Sequence, residues 1–213
     1  MKANYDDIDE YAADLRAEID KNGGCAAHHY NLGTVMLTKR DFAAAEESFL
    51  NALRCSPHLA EAYVQLGGIR MQAGDLDGCL RYNEEASQCR AQFPVPWANM
   101  GFVHLQRGEP EKAVPVLQKA LKWDPDFVQA LACLGSAYFM LADYDQSIAV
   151  SERAIQREPR FGPALNNLAL AWLEKGDAVK AAAYAEQALA SGFEVQPGLL
   201  EEIRAEQGRS TSV

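Results

Sequence analysis

Glycine recurs at Gly33, Gly67, Gly101 and Gly135, every 34 residues, each time inside a segment that otherwise reads as helix. A glycine costs a helix interior about 1 kcal/mol relative to alanine, so four in register mark points where another group comes too close for a Cβ. The period brings other positions with it. Each glycine follows Leu32, Leu66, Met100 or Leu134, and three residues earlier stand His29, Tyr63, Trp97 and Leu131. Leu165, Leu168 and Ala169 continue the register into a fifth copy. A fixed period of this length describes a stack of like units, each unable to bury its apolar face alone.

The second half of each unit keeps the same time. Ala45, Cys79, Ala113, Ser147 and Ala181 hold one small position, Ala52, Ala86, Ala120, Ala154 and Ala188 another, and Pro57, Pro125 and Pro159 close three units. Between the halves lie Arg40-Asp41, Gly74-Asp75, Gly108-Glu109, Ala142-Asp143 and Gly176-Asp177, where an acid is placed to cap a second helix. This pattern resembles the tetratricopeptide repeat, best matched by Trp97, Met100, Gly101, Ala113, Ala120 and Pro125. The resemblance implies an all-α, right-handed α-solenoid of five helix-turn-helix repeats, at 26–59, 60–93, 94–127, 128–161 and 162–195.

Some residues depart from the pattern. The second unit has Ala91 for the closing proline and Asn83 where a large apolar side chain is usual. Pro115 lies inside a second helix, where it removes a hydrogen bond and is expected to bend the rod. The fifth unit has Ala169 for glycine and ends at Phe193 without proline. At the ends, Ile8, Ala12, Leu15 and Ile19 form an apolar stripe that predicts a capping helix within residues 1–25. Leu199, Leu200 and Ile203 predict another within residues 196–213, with a frayed tail from residue 208.

Charge and composition narrow the function. A formal charge of -10 argues against nucleic acid, whose phosphates need clustered Lys and Arg, and favours a neutral to basic protein partner. No apolar run approaches the roughly 18 residues of a membrane span, and the acidic start, MKANYDDIDEYAADL, lacks the form of a signal peptide. A cytoplasmic protein without membrane insertion is expected. The five cysteines show no paired metal or redox spacing. The histidines at 28, 29, 58 and 104 lack a supporting acid or nucleophile in any motif, and no phosphate loop occurs. Cys25 with His28 and His29 offers no visible fourth metal ligand. No enzyme, cofactor or metal site is expected.

The resemblance implies that the first helices of successive units line a concave groove, through six positions per unit. One of these holds Asn31, Gln65, Asn99, Cys133 and Asn167, with Asn166 beside the last. A carboxamide both donates and accepts, so such a row can pair with the backbone of an extended peptide; equally, it can bond neighbouring helices. The other positions include Tyr30, Leu37, Met71, Phe102, Leu105, Phe139, Met140, Leu170 and Leu173, suited to apolar anchors or to the seams between helices. Places where related co-chaperones carry basic residues hold Ala27, Tyr30, Thr34, Val95 and Asn99, which excludes a clamp for a terminal carboxylate. The expected function is a protein-interaction adaptor binding through Tyr30, Asn31, Gln65, Met71, Asn99, Phe102, Phe139, Asn166 and Asn167. A self-assembling scaffold, a homo-oligomer, is the alternative.

Overall fold

A computed structural model describes residues 8–23 and 25–210. Among them lie twelve helices and no strand: α1 (Ile8–Asn22), α2 (Ala26–Thr38), α3 (Phe42–Cys55), α4 (Ala60–Gln72), α5 (Leu76–Cys89), α6 (Pro94–Gln106), α7 (Pro110–Trp123), α8 (Val128–Met140), α9 (Tyr144–Arg157), α10 (Gly162–Glu174), α11 (Ala178–Ala190) and α12 (Pro197–Ser210). The chain divides into two compact units, one through Gln92 and one from Phe93, at the junction of the second and third repeats.

In the first unit α2 pairs with α3 and α4 with α5 as helical hairpins, α3 packs on α4, and α1 covers α2. Its core gathers Leu15, Val35, Met36, Phe49, Leu66 and Ile69. In the second unit the hairpins are α6 with α7, α8 with α9 and α10 with α11. There α6 lies beside α8 and α8 beside α10, while α12 closes the stack on α11.

The periodic glycines sit where their sequence cost implied. A Cβ on Gly33 would stand 2.7 Å from Phe49 Cε1, one on Gly67 2.5 Å from Asn83 Nδ2, and one on Gly101 2.5 Å from Leu117 Cδ2. A Cβ on Gly135 would strike Ser151 Oγ. Phe49, Asn83, Leu117 and Ser151 are themselves 34 residues apart, so each glycine receives the same position of its own second helix. Asn83 fills that place fully buried, its amide donating to the Cys79 carbonyl at 2.8 Å.

Turns follow the same rule. The second residue after each first helix takes the left-handed conformation, at Arg40 (φ 59°), Gly74, Gly108, Ala142 (φ 57°) and Gly176. Asp41, Asp75, Asp143 and Asp177 then cap the second helices by accepting from the backbone N–H three residues on, at 3.1, 2.7, 3.2 and 3.0 Å. Glu109 does not cap α7, whose first residue is Pro110. Second helices α3, α7 and α9 end on extended residues, Ser56, Asp124 and Glu158, each before a proline, which disfavours helix in its predecessor. Arg90 adopts the same conformation (φ -146°, ψ 92°) without one.

Pro115 does not interrupt α7, which continues through it with the ring exposed. Of the N-terminal stripe, Ala12 and Leu15 are buried, Ile19 is half-buried and Ile8 remains exposed. In α12, Leu199 and Ile203 are buried and the helix runs to Ser210, beyond the predicted fray point; the rest of the expected tail, 211–213, lies outside the described residues. Phe193, which ends the fifth repeat in place of proline, lies against Gly162.

Candidate functional site

The expected site residues fall in both compact units. In the first, Tyr30 packs its ring on Phe49, with centroids 5.5 Å apart, and its hydroxyl accepts from Gln65 Nε2 at 3.4 Å. Tyr30 and Gln65 thus connect α2 to α4, while Asn31 and Met71 are half-buried. Leu37 packs against the core beneath.

In the second unit α6, α8 and α10 place their signature residues side by side. Phe102 on α6 is 37% exposed and Met140 at the end of α8 is 47% exposed, the two large apolar side chains that open outward from these helices. Asn99 and Asn166 are half-buried. Leu105, Leu170 and Leu173 pack against buried clusters between helices. Phe139 turns into the seam between α8 and α9, 5.6 Å from the Tyr144 ring, and packs against the cluster of Ile148 and Leu168.

Asn167 is buried. Its Nδ2 donates to the Ala132 carbonyl at 2.8 Å and its Oδ1 accepts from Ser136 Oγ at 3.0 Å, so both ends of the amide tie α10 to α8. This is the helix-bonding arrangement that the sequence left open beside peptide recognition. Ser136, absent from the expected set, completes the bond. Its signal was a small hydroxyl one turn from the amide row. Between these amides, burial pushes the Cys133 thiol up to about 11.

Charge is distributed unevenly. Helices α6, α8 and α10 contain no Lys, Arg or Asp and one Glu, Glu174, which accepts from the Tyr144 hydroxyl at 3.3 Å. The other charged side chains of this unit lie on the second helices, on α12 and in the turns, as in the pair between Arg157 Nε and Asp126 at 2.8 Å and the Lys180 ammonium 3.7 Å from the Trp172 ring.

Of the four histidines only His104 lies on these three helices. His104 closes α6 with Nδ1 2.8 Å from Glu109, which also accepts from Lys112 Nζ at 2.9 Å. Burial, and secondarily His28, lowers the His29 pKa. His58 lies 3.9 Å from Cys89. Among the described residues no three His, Cys, Asp or Glu side chains converge to hold a metal ion, and no helix is long and apolar enough to cross a membrane.

Stacked helical hairpins with half-covered faces define an α-solenoid, a class whose stacked units present an extended surface to other macromolecules. Two sequence profiles of the tetratricopeptide repeat match, at residues 7–60 and 104–168, and the chain belongs to the tetratricopeptide repeat family. Among solved structures it is similar to YrrB, a TPR protein with an unusual peptide-binding site (18% identity, 92% of this chain and 99% of that one, TM-score 0.70). It is also similar to pilF of Pseudomonas aeruginosa (20% identity, 95% and 90%, TM-score 0.77). PilW, a type IV pilus biogenesis factor, gives 19% identity over 87% of each chain, with a TM-score of 0.75. At these identities the likeness is one of fold. No curated protein matches the sequence. The fold supports protein–protein interaction in general, the common use of such repeats.

Proposed function

We propose that the face of α6, α8 and α10 holds an extended, uncharged segment of a partner protein, and that the chain is a non-enzymatic adaptor assisting assembly or localisation of a complex. The observation that carries this reading is the near absence of charge on three adjacent helices of a chain with formal charge -10. Phe102 and Met140 would supply apolar anchors, and Asn99 and Asn166 backbone hydrogen bonds. Each such bond contributes about 0.5–1.5 kcal/mol net, so anchors and amides together are needed for the roughly 8 kcal/mol of micromolar affinity. A partner segment bearing charge would lose hydration on this face without gaining a counter-ion. The partner chemistry is therefore neutral, the acids of the chain standing elsewhere. YrrB, which is similar in fold, has a peptide-binding site. Five cysteines without paired metal or redox spacing fit the reducing cytoplasm.

The test is an immobilised peptide array probed with wild-type protein and with Phe102→Ala/Asn166→Ala. The reading expects uncharged peptides with apolar residues to be retained by the wild type and lost by an equally stable variant. Identical retention by both proteins overturns it. A second reading, self-assembly, draws on α11, where Val179 is 74% exposed and Leu189 45%. Light scattering across a concentration series separates the two, since only a scaffold grows in mass.

A further inference from the structure

The first repeat contains a hole that three of its sister repeats fill. Between α1, α2 and α3 lies a cleft of about 250 Å³ floored by Ile19, Leu32 and Met36, with Ser48 on its wall. The Ser48 hydroxyl is spent on its own helix, donating to the Ala44 carbonyl at 2.7 Å. One period on, the counterpart of Ser48 is Tyr82; later repeats have Val116, Val150 and Tyr184.

Three of them, Tyr82, Val150 and Tyr184, pack in the equivalent place. Tyr184 packs in one cluster with Ile155, Leu168 and Trp172, the counterparts of Ile19, Leu32 and Met36 at four periods' distance. Val150 shares a cluster with Leu121, Leu134 and Tyr138, the same three positions in the fourth repeat. Tyr82 packs near Leu66 and sets its ring 6.4 Å from Tyr63, which stands where His29 lines the cleft. Twice in this chain, then, a phenol ring is the side chain that fits this place.

The lining favours an aromatic guest over an aliphatic one. Met36 offers a thioether at the floor, with Arg16 Nη2 3.9 Å from its sulfur, and His29 contributes a flat ring. Sulfur, guanidinium and imidazole all interact favourably with a π face. Asp20 and Glu47 at the rim supply acceptors for a phenol hydroxyl, an electrostatic match that leucine or phenylalanine lacks.

We propose that this cleft binds the side chain of a tyrosine projecting from a partner protein, a second recognition point independent of the α6, α8 and α10 face. The test follows the Ile19 and Met36 methyl resonances by NMR while N-acetyl-tyrosinamide, and separately N-acetyl-leucinamide, is titrated into the full chain. Both methyls should shift saturably with the tyrosine probe, and the leucine probe should bind on the order of tenfold more weakly. Ser48→Tyr should raise the melting temperature, as a side chain taken from the sister repeats, and abolish the shifts. Should that variant fail to fold, Ser48→Val, the residue type of the third and fourth repeats, should weaken them instead. Absent shifts, equal response to both probes, or shifts that persist unchanged in the folded Ser48 variants would overturn the proposal.

Discussion

Leu117 stands so close over Gly101 that a Cβ on the glycine would lie 2.5 Å from Leu117 Cδ2. In the fifth repeat the same two places hold Ala169 and Ala185, buried in one cluster. Where the facing side chain shrinks to alanine, a Cβ is accepted on the first helix. Gly101→Ala should therefore destabilise the protein by about 1–3 kcal/mol through overpacking. Leu117→Ala should cost about 2–5 kcal/mol. In the Leu117→Ala background, Gly101→Ala should be neutral or stabilising, because the collision is gone and alanine is the better helix former by about 1 kcal/mol. Denaturant melts of the four proteins give the coupling; strict additivity would mean the contact is not what forbids a side chain at residue 101.

Ala142 holds a left-handed conformation, φ 57°, where three sister turns use Gly74, Gly108 and Gly176. A side chain there costs about 1–2 kcal/mol, partly offset by the greater unfolded-state freedom of glycine, 0.4–1 kcal/mol. Ala142→Gly should accordingly stabilise by roughly 0.5–1 kcal/mol, and Gly176→Ala should destabilise by a similar amount. Thermal denaturation of the two variants should move in opposite directions.

The Glu109 carboxylate is held below its ordinary value of 4.5, first by the hydrogen bond from Lys112 and then by that with His104. A carboxyl whose folded pKa is depressed stabilises the fold fully above its unfolded pKa and loses that contribution as pH falls through the folded one. The melting temperature of wild type should exceed that of Glu109→Gln at neutral pH. The gap should close as pH drops below 4.5. A gap constant down to pH 3 would exclude the carboxylate as its source.

What the sequence disclosed depended on whether a residue's identity carries its geometry. Gly33, Gly67, Gly101 and Gly135 were legible because the absent side chain is itself the record of close packing. Asp41 and Asp177 were legible because a short acid after a left-handed residue has one nearby use. Glu109 was not, since one added methylene lets its carboxylate reach His104 and leave the helix end uncapped. Arg90 takes up the extended form that proline enforces elsewhere, although Ala91 follows it. In the candidate face, residue types pointed to amides and apolar anchors, but which of them open outward is decided by rotation about each helix axis. Phe139 and Met140 are adjacent, and one lies in a seam while the other is 47% exposed.

Cys133 lies beneath that face with its thiol raised to about 11 by burial, whereas Cys25 and Cys55 are exposed. Only the thiolate attacks alkylating agents. Brief treatment with iodoacetamide at neutral pH should label Cys25 and Cys55 and leave Cys133 unmodified, as read by peptide mass spectrometry. Labelling of Cys133 as fast as the exposed pair would show that the space between α6, α8 and α10 is open to water to the depth of its sulfur.

Asn166 and Asn167 are neighbours with different surroundings, and they separate stability from recognition. The Asn167 amide joins α10 to α8 through Ala132 and Ser136. Removing it deletes two hydrogen bonds between α10 and α8, although the Ser136 hydroxyl keeps the Ala132 carbonyl as an acceptor at 3.2 Å, and the loss costs about 1–3 kcal/mol. Asn167→Ala should therefore lower the melting temperature clearly, yet below that temperature it should bind any ligand of the α6, α8 and α10 face nearly as wild type does. Asn166→Ala should do the reverse: unchanged melting, and affinity weakened by the roughly 0.5–1.5 kcal/mol of one hydrogen bond. Calorimetry with an array-selected peptide measures both. If Asn167→Ala instead lost affinity at full stability, the buried amide would have to open outward to meet the ligand, and the row of carboxamides would work as a unit.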